Sequence, residues 1–170
     1  MERFVEATAG LLAERSFDEI TVADIVSRAD RTVGSFYARF EDKYAVLLEL
    51  VDRTYERIGD VVRAFCDPVR WEGQPLSEFI AESIRLNVQA YRRSAWLFRA
   101  ALTAAATDER FRTRRLAVLR LCADQQKRFV LTRRDELSAP DPARAADQVF
   151  ELMVATLDEA LLFGRFTSSR

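Results

Sequence analysis

Apolar positions along this chain recur at three- and four-residue intervals and nowhere alternate. Phe4, Ala7 and Leu11, with Val5 and Leu12 beside them, predict a first amphipathic helix over Glu2 to Arg15, stopping near Ser16-Phe17-Asp18. Val22, Ile25, Val26 and Ala29 supply the buried face of a second helix. Thr21 opens it as N-cap, and Asp24 three residues on completes a capping-box pattern. A short turn, Asp30-Arg31, leads to Thr32, the N-cap of a third helix from Val33 to about Arg39. Asp42 then opens a long fourth helix, Lys43 to about Phe65, with Tyr44, Leu47, Leu48, Val51, Tyr55, Ile58 and Val62 turned inward.

Cys66 to Pro75 holds two prolines, a glycine and an Asp-Pro step, and reads as a linker. Beyond it the spacing predicts helices near Leu76–Arg93, Ala95–Ala106, Phe111–Glu136 and Ala143–Phe166. Phe150, Met153, Val154, Leu157 and Leu161 form the apolar stripe of the last. No strand pattern or internal repeat competes, so the fold class is all-α.

With 49% apolar and 31% charged residues, the 170-residue chain is ordered and long enough to bury a core. Cys66 and Cys122 stand apart, without CxxC spacing, which gives two reduced thiols and neither a disulfide framework nor a metal site. No apolar run reaches about 18 residues and no signal-peptide pattern opens the chain, so the expected compartment is the cytoplasm. Histidine is absent, which removes the commonest general base and metal ligand. No nucleophile elbow, phosphate-cradling glycine loop or paired-carboxylate pattern replaces it. Neither an enzyme nor a cofactor is expected.

Two short helices joined by a tight turn and braced by a preceding helix form the architecture of a helix-turn-helix. Spacing alone does not separate this from an ordinary helical corner; the residues do. Thr21-Val22, Ile25-Val26, Ala29, Thr32, Gly34-Ser35-Phe36-Tyr37, Phe40 and Lys43 follow one another in a pattern that resembles the DNA-binding domain of the TetR family of bacterial transcriptional regulators. The match spans roughly the first 50 residues, and the remainder resembles the family only in layout.

The resemblance implies a three-helix helix-turn-helix domain over residues 1–48. The long fourth helix would join it to a helical ligand-binding and dimerisation domain over residues 49–170. It implies a ligand-responsive regulator, by default a repressor, that binds a palindromic operator as a homodimer and is released by a small hydrophobic or aromatic effector. The competing reading is a helical ligand- or protein-binding module whose DNA binding is weakened or lost.

Thr32 would cap the recognition helix, whose first residues must approach base edges. Val33 suits a thymine methyl and Ser35 either donor or acceptor, with Thr32 sharing the base reading. Gly34 lets the backbone come close to DNA; the alternative is a glycine packed on the preceding helix. Phe36 and Phe40 belong to the core. Tyr37, by the resemblance, reaches a phosphate. Thr21 and Lys43 stand at helix starts, where a hydroxyl, free amides and a cation can hold phosphates. Thr21 is as well explained by capping alone, whereas the sequence shows no structural need for Lys43. Arg28, Arg31 and Arg39 flank the recognition helix as phosphate contacts or as solvated arginines.

Two departures stand out. Asp30-Arg31 replaces the usual Gly-Val of the turn, so a left-handed conformation falls on an aspartate. Residues 1–52 carry six basic and eleven acidic side chains, a net −5, which opposes binding to a polyanion. The family often carries a basic arm ahead of its first helix, and here the sequence begins almost at that helix.

Large aromatics beside the small residues of Ala100–Ala106 suit a cavity between helices, and Phe79, Trp96, Phe98 and Cys122 are its candidate lining. From Arg112 through Arg134, eight basic side chains face only Asp124, a solvated face rather than a second nucleic-acid surface. By the resemblance, this helix and the last pair in a four-helix dimer interface through Leu116, Leu119, Met153, Leu157 and Leu161. The same stripe serves equally as the protomer's own core.

Overall fold

The helices begin where the chain offers a cap. Thr21 Oγ1 accepts the Asp24 N–H at 3.2 Å and the Asp24 carboxylate accepts the Thr21 N–H at 2.8 Å, closing the expected capping box. Ser16 and Glu19 form a second box, not among those the spacing predicts, and it holds a 3-10 turn, Phe17–Glu19. The first helix ends at Leu12, three residues earlier than predicted, where the Glu14 and Arg15 N–H groups close on the Leu11 carbonyl. The computed structural model describes residues 1–164, with α1 (Glu2–Leu12), α2 (Val22–Arg28), α3 (Val33–Tyr37), α4 (Lys43–Phe65), α5 (Leu76–Arg93), α6 (Ala95–Thr107), α7 (Glu109–Thr132) and α8 (Pro142–Leu162). Arg165 and Phe166, the predicted end of the last helix, lie outside the described residues. The fold is all-α, and among the described residues no helix is long and apolar enough to cross a membrane.

The described chain divides into two compact units, one of Met1–Glu56 with Trp96–Arg114, the other of Arg57–Ala95 with the chain from Arg115 on. In the first, Phe4 of α1 meets Phe36 and Phe40 edge-on, with ring centroids 5.4 and 6.2 Å apart. These two rings anchor α3, a helix of five residues, too short to be stable without packing. Ile20, Ile25, Val46, Leu47 and Val51 are fully buried around them. From the Ala100–Ala106 run, Ala100, Ala101, Ala104 and Ala105 are buried in the core of this unit beside Leu97 and Phe111.

The second unit is built on aromatics. Phe79 stacks on Phe129 at 4.1 Å, and Trp71 meets Phe65 and Phe79 edge-on. Trp71 comes from the segment read as a linker, and that reading needs correction. Asp67 caps a 3-10 turn, Pro68–Trp71, by accepting the Val69 N–H, and Trp71 Nε1 donates to the Phe65 carbonyl at 2.6 Å. The prolines that exclude a long helix start this turn and deliver a buried indole.

Candidate nucleic-acid interface and effector cavity

The turn between α2 and α3 is made by the residue expected to make it. Asp30 has φ +52°, the left-handed region that glycine favours. The Arg31 N–H then reaches the Val26 carbonyl at 3.0 Å and the Asp30 N–H that of Ser27 at 3.2 Å, satisfying the end of α2. Thr32 Oγ1 caps α3 by accepting the Ser35 N–H, and Ser35 Oγ donates back to the Thr32 carbonyl at 2.8 Å.

With Phe36 and Phe40 buried, the opposite side of α3 is open. Val33 is 49% and Tyr37 56% exposed, and Gly34 lies between them. A Cβ built on Gly34 meets nothing within 4 Å, so among the described residues no packing requires a glycine there. Thr32, Val33, Gly34 and Tyr37 thus come together on one accessible face, with half-buried Ser35 at its edge.

The flanking cations differ from one another. Arg31 and Arg39 are exposed and each uses one nitrogen on a local carbonyl, of Asp30 and Ser35 respectively. Arg28 is turned to α1. Its guanidinium pairs with Glu14 at 2.7 Å and lies across Gly10, where a Cβ would sit 3.0 Å from Nε. Lys43 has the structural need that the sequence reading did not see: its ammonium donates to the carbonyls of Phe17 at 3.0 Å, Asp18 at 3.3 Å and Ile20 at 2.8 Å. It also lies 4.7 Å from the centroid of the Phe17 ring. Thr21 donates its hydroxyl to Asp24 at 2.7 Å as well as accepting from it. Those bonds, with Arg15 beside them at 3.0 Å, hold the Asp24 carboxyl down at about 2.

The acidic excess of the first 52 residues is softened by pairing. Glu14 and Asp24 pair with Arg28 and Arg15, Glu2 and Glu49 with Arg53, and Asp52 with Arg114 at 2.7 Å. Arg53 and Arg114 fall outside that stretch, which is why its local count overstates the negative field. Basic residues of α7 are partnered in the same way, Arg115 with Asp158, which also accepts from the Tyr91 hydroxyl at 3.0 Å, and Lys127 with Asp147, while Arg133, just past the helix, pairs with Glu136.

The second unit contains a cavity of about 160 Å³ whose walls come from α5, α7 and α8 and include Phe79, Ile80, Val130, Phe150 and Met153. Of the four residues expected to line a pocket, Phe79 lines this one. Trp96 and Phe98 lie in the first unit, and Cys122 is buried among the aromatics of the second, off the cavity wall. Burial pushes the thiols of Cys122 and Cys66 up to about 11.

The predicted dimer stripe splits. Leu157 and Leu161 are buried within the protomer, so they build its own core. Leu119 and Met153 are half-buried, and Leu116 is 48% exposed. The open apolar surface of α8 and its end is instead Val149, Leu152, Leu162 and Phe163. Periodicity held the signal, since Val149 and Leu152 each precede a stripe residue by one position; following one stripe hid the other.

Residues 4–50 match the family model described as bacterial regulatory proteins, tetR family. Among solved structures, the chain is similar to Escherichia coli NemR in its reduced form at a TM-score of 0.68 and 15% identity, covering 95% of this chain and 87% of that one. It is similar to Salmonella enterica GusR at a TM-score of 0.69 and 19% identity, covering 94% and 80%. For the fatty acid degradation regulator FadR of Bacillus halodurans the values are 0.68 and 14%, covering 96% and 84%. At these identities the likeness is one of fold. No curated protein sequence matches the chain.

Proposed function

Residues 4–50 are a DNA-binding domain of the tetR family of bacterial regulatory proteins, and from that premise we propose that the chain is a homodimeric repressor released from a palindromic operator by a small apolar effector. The open face of α3 carries this reading. Its caps, turn and buried aromatics hold Val33 and Gly34 outward on a helix too short to have any other use for an exposed valine and a glycine beside it. Val33 and Ser35, with Thr32, meet base edges, and Gly34 admits the backbone. Tyr37, Arg31 and Arg39 take phosphates, joined by Thr21 and Arg28 through whatever hydrogen-bonding capacity their structural bonds leave. Lys43 braces the turn before α2 through its three backbone carbonyls.

Dimerisation supplies the second recognition helix, roughly 34–36 Å from the first for successive major grooves. Leu116 with Val149, Leu152, Leu162 and Phe163 offers the apolar surface for it. An effector in the cavity of the second unit shifts the population toward dimers with the wrong spacing.

The test is fluorescence anisotropy against the intergenic DNA beside the protein's own gene and a scrambled control, in a salt series. Tighter binding to the intergenic DNA, weakening linearly on a logarithmic salt scale, is expected. Equal, weak binding to both DNAs would favour the module without DNA function.

A further inference from the structure

We infer that the cavity among α5, α7 and α8 takes a neutral, largely apolar molecule bearing one hydrogen-bond acceptor, and that Gln126 reads the acceptor. The inference rests on the effector-responsive reading above and names the chemistry of its site. Size comes first. The cavity measures about 160 Å³, and an apolar cavity of about 150 Å³ takes benzene. One ring or a short branched chain fits. Phe79, Ile80, Phe150 and Met153 give such a body an apolar wall.

The polar groups on that wall select the rest. Ser83 Oγ donates to Gln126 Oε1 at 2.8 Å, which satisfies the amide oxygen and fixes the side chain. The two N–H donors of Gln126 remain for an acceptor supplied from the cavity. Lys127 also lines it, yet its ammonium is held by both oxygens of Asp147, at 2.8 and 3.0 Å. The wall therefore carries no uncompensated charge. A carboxylate ligand would be desolvated without a free counter-ion or would have to compete with Asp147 for Lys127 at a pair that is partly open to solvent. A ketone, ester, lactone or amide of the same shape meets neither penalty.

Three probes of one shape separate these possibilities: acetophenone, ethylbenzene and benzoate, titrated calorimetrically into the full chain without DNA. Acetophenone should bind most tightly and benzoate least. Gln126→Leu should weaken acetophenone about 3- to 10-fold and leave ethylbenzene unchanged, the effect of one neutral hydrogen bond. Ala146→Phe, or Val130→Trp should the first variant not fold, should abolish binding of all three by filling the space. Benzoate binding as tightly as acetophenone, equal losses for both neutral probes in Gln126→Leu, or no binding of any probe would overturn the assignment. Operator anisotropy with saturating acetophenone is read separately. Binding without operator release supports the cavity's chemistry and sinks its regulatory role.

Discussion

The ammonium of Lys43 donates a 2.8 Å hydrogen bond to the carbonyl of Ile20, the residue before the N-cap of α2. Two further carbonyls of the same turn share that ammonium, so the first turn of α4 grips the connection between α1 and α2. The consequence for DNA binding is a distinction between bracing and contact. Lys43→Met keeps the aliphatic stem and removes the donors. It should lower stability by about 1.5–3 kcal/mol, the range for hydrogen bonds to a charged group. Operator affinity should fall while the slope of log affinity against log salt stays the same. Loss of a phosphate contact would instead make that slope shallower by about 0.9. Salt-dependent anisotropy beside a urea melt decides between them.

Gly34 gives the opposite pairing of effects. Its surroundings are open and its backbone is helical, so Gly34→Ala should stabilise the chain by about 0.5–1 kcal/mol. The added methyl would stand between α3 and the DNA, and operator affinity should drop about ten-fold, equivalent to roughly 1.4 kcal/mol. A stabilised variant with unchanged affinity would remove close backbone approach from the mechanism.

These two residues show how far the sequence could be read. Gly34 was legible because its cost is local: a glycine in a helix needs an external reason, and the fold supplies no internal one. Asp30 was legible for the same reason, a turn requirement falling on the residue type that tolerates it. Lys43 was not, because its partners are backbone carbonyls more than twenty residues away, and carbonyls leave no trace in side-chain spacing. Trp71 was hidden by its prolines, which mark where a long helix cannot run without saying that the segment is exposed. Of the predicted pocket aromatics only Phe79 reaches the cavity of the second unit, because periodicity assigns a residue to a face, while the division of the chain into two units decides which faces meet.

Trp71 then makes a direct test of that packed turn. The indole is 5% exposed, touches Phe65 and Phe79, and satisfies the Phe65 carbonyl. Trp71→Ala should cost about 3–5 kcal/mol in denaturant unfolding, the range for a large buried aromatic. A surface linker would give a change within about 0.5 kcal/mol.

Asp24 predicts an acid signature for the first unit. Its folded pKa, about 2, lies below the ordinary aspartate value because Thr21 hydrogen-bonds the ionised carboxylate, with Arg15 adding to the effect. A depressed carboxylate contributes stability fully above its unfolded pKa, roughly 3.9, and loses it as pH falls through the folded value. Thermal melts of the native chain and Asp24→Ala should therefore differ at pH 6 and converge between about pH 4 and pH 2. A difference independent of pH would mean that the capping box gains nothing from the charge.

The thiols predict a kinetic signature in the alkaline direction. Cys66 and Cys122 are each 8% exposed, and desolvation raises both to about 11, Cys66 with an added push from the nearby Cys122. Thiolate is the reactive form, and a free cysteine near 8.5 holds roughly a tenth of it at pH 7.5. A thiol at about 11 holds on the order of one part in three thousand. Reaction with an aromatic disulfide reagent at pH 7.5 should thus be at least about a hundred-fold slower in the native chain than in guanidinium, before restricted access slows it further. The native rate should keep climbing past pH 9, where an ordinary thiol levels off. Fast native labelling with a plateau near pH 9 would place either cysteine at the surface of the second unit, against the packing of Cys66 and Cys122 among Phe65, Phe79 and Phe129.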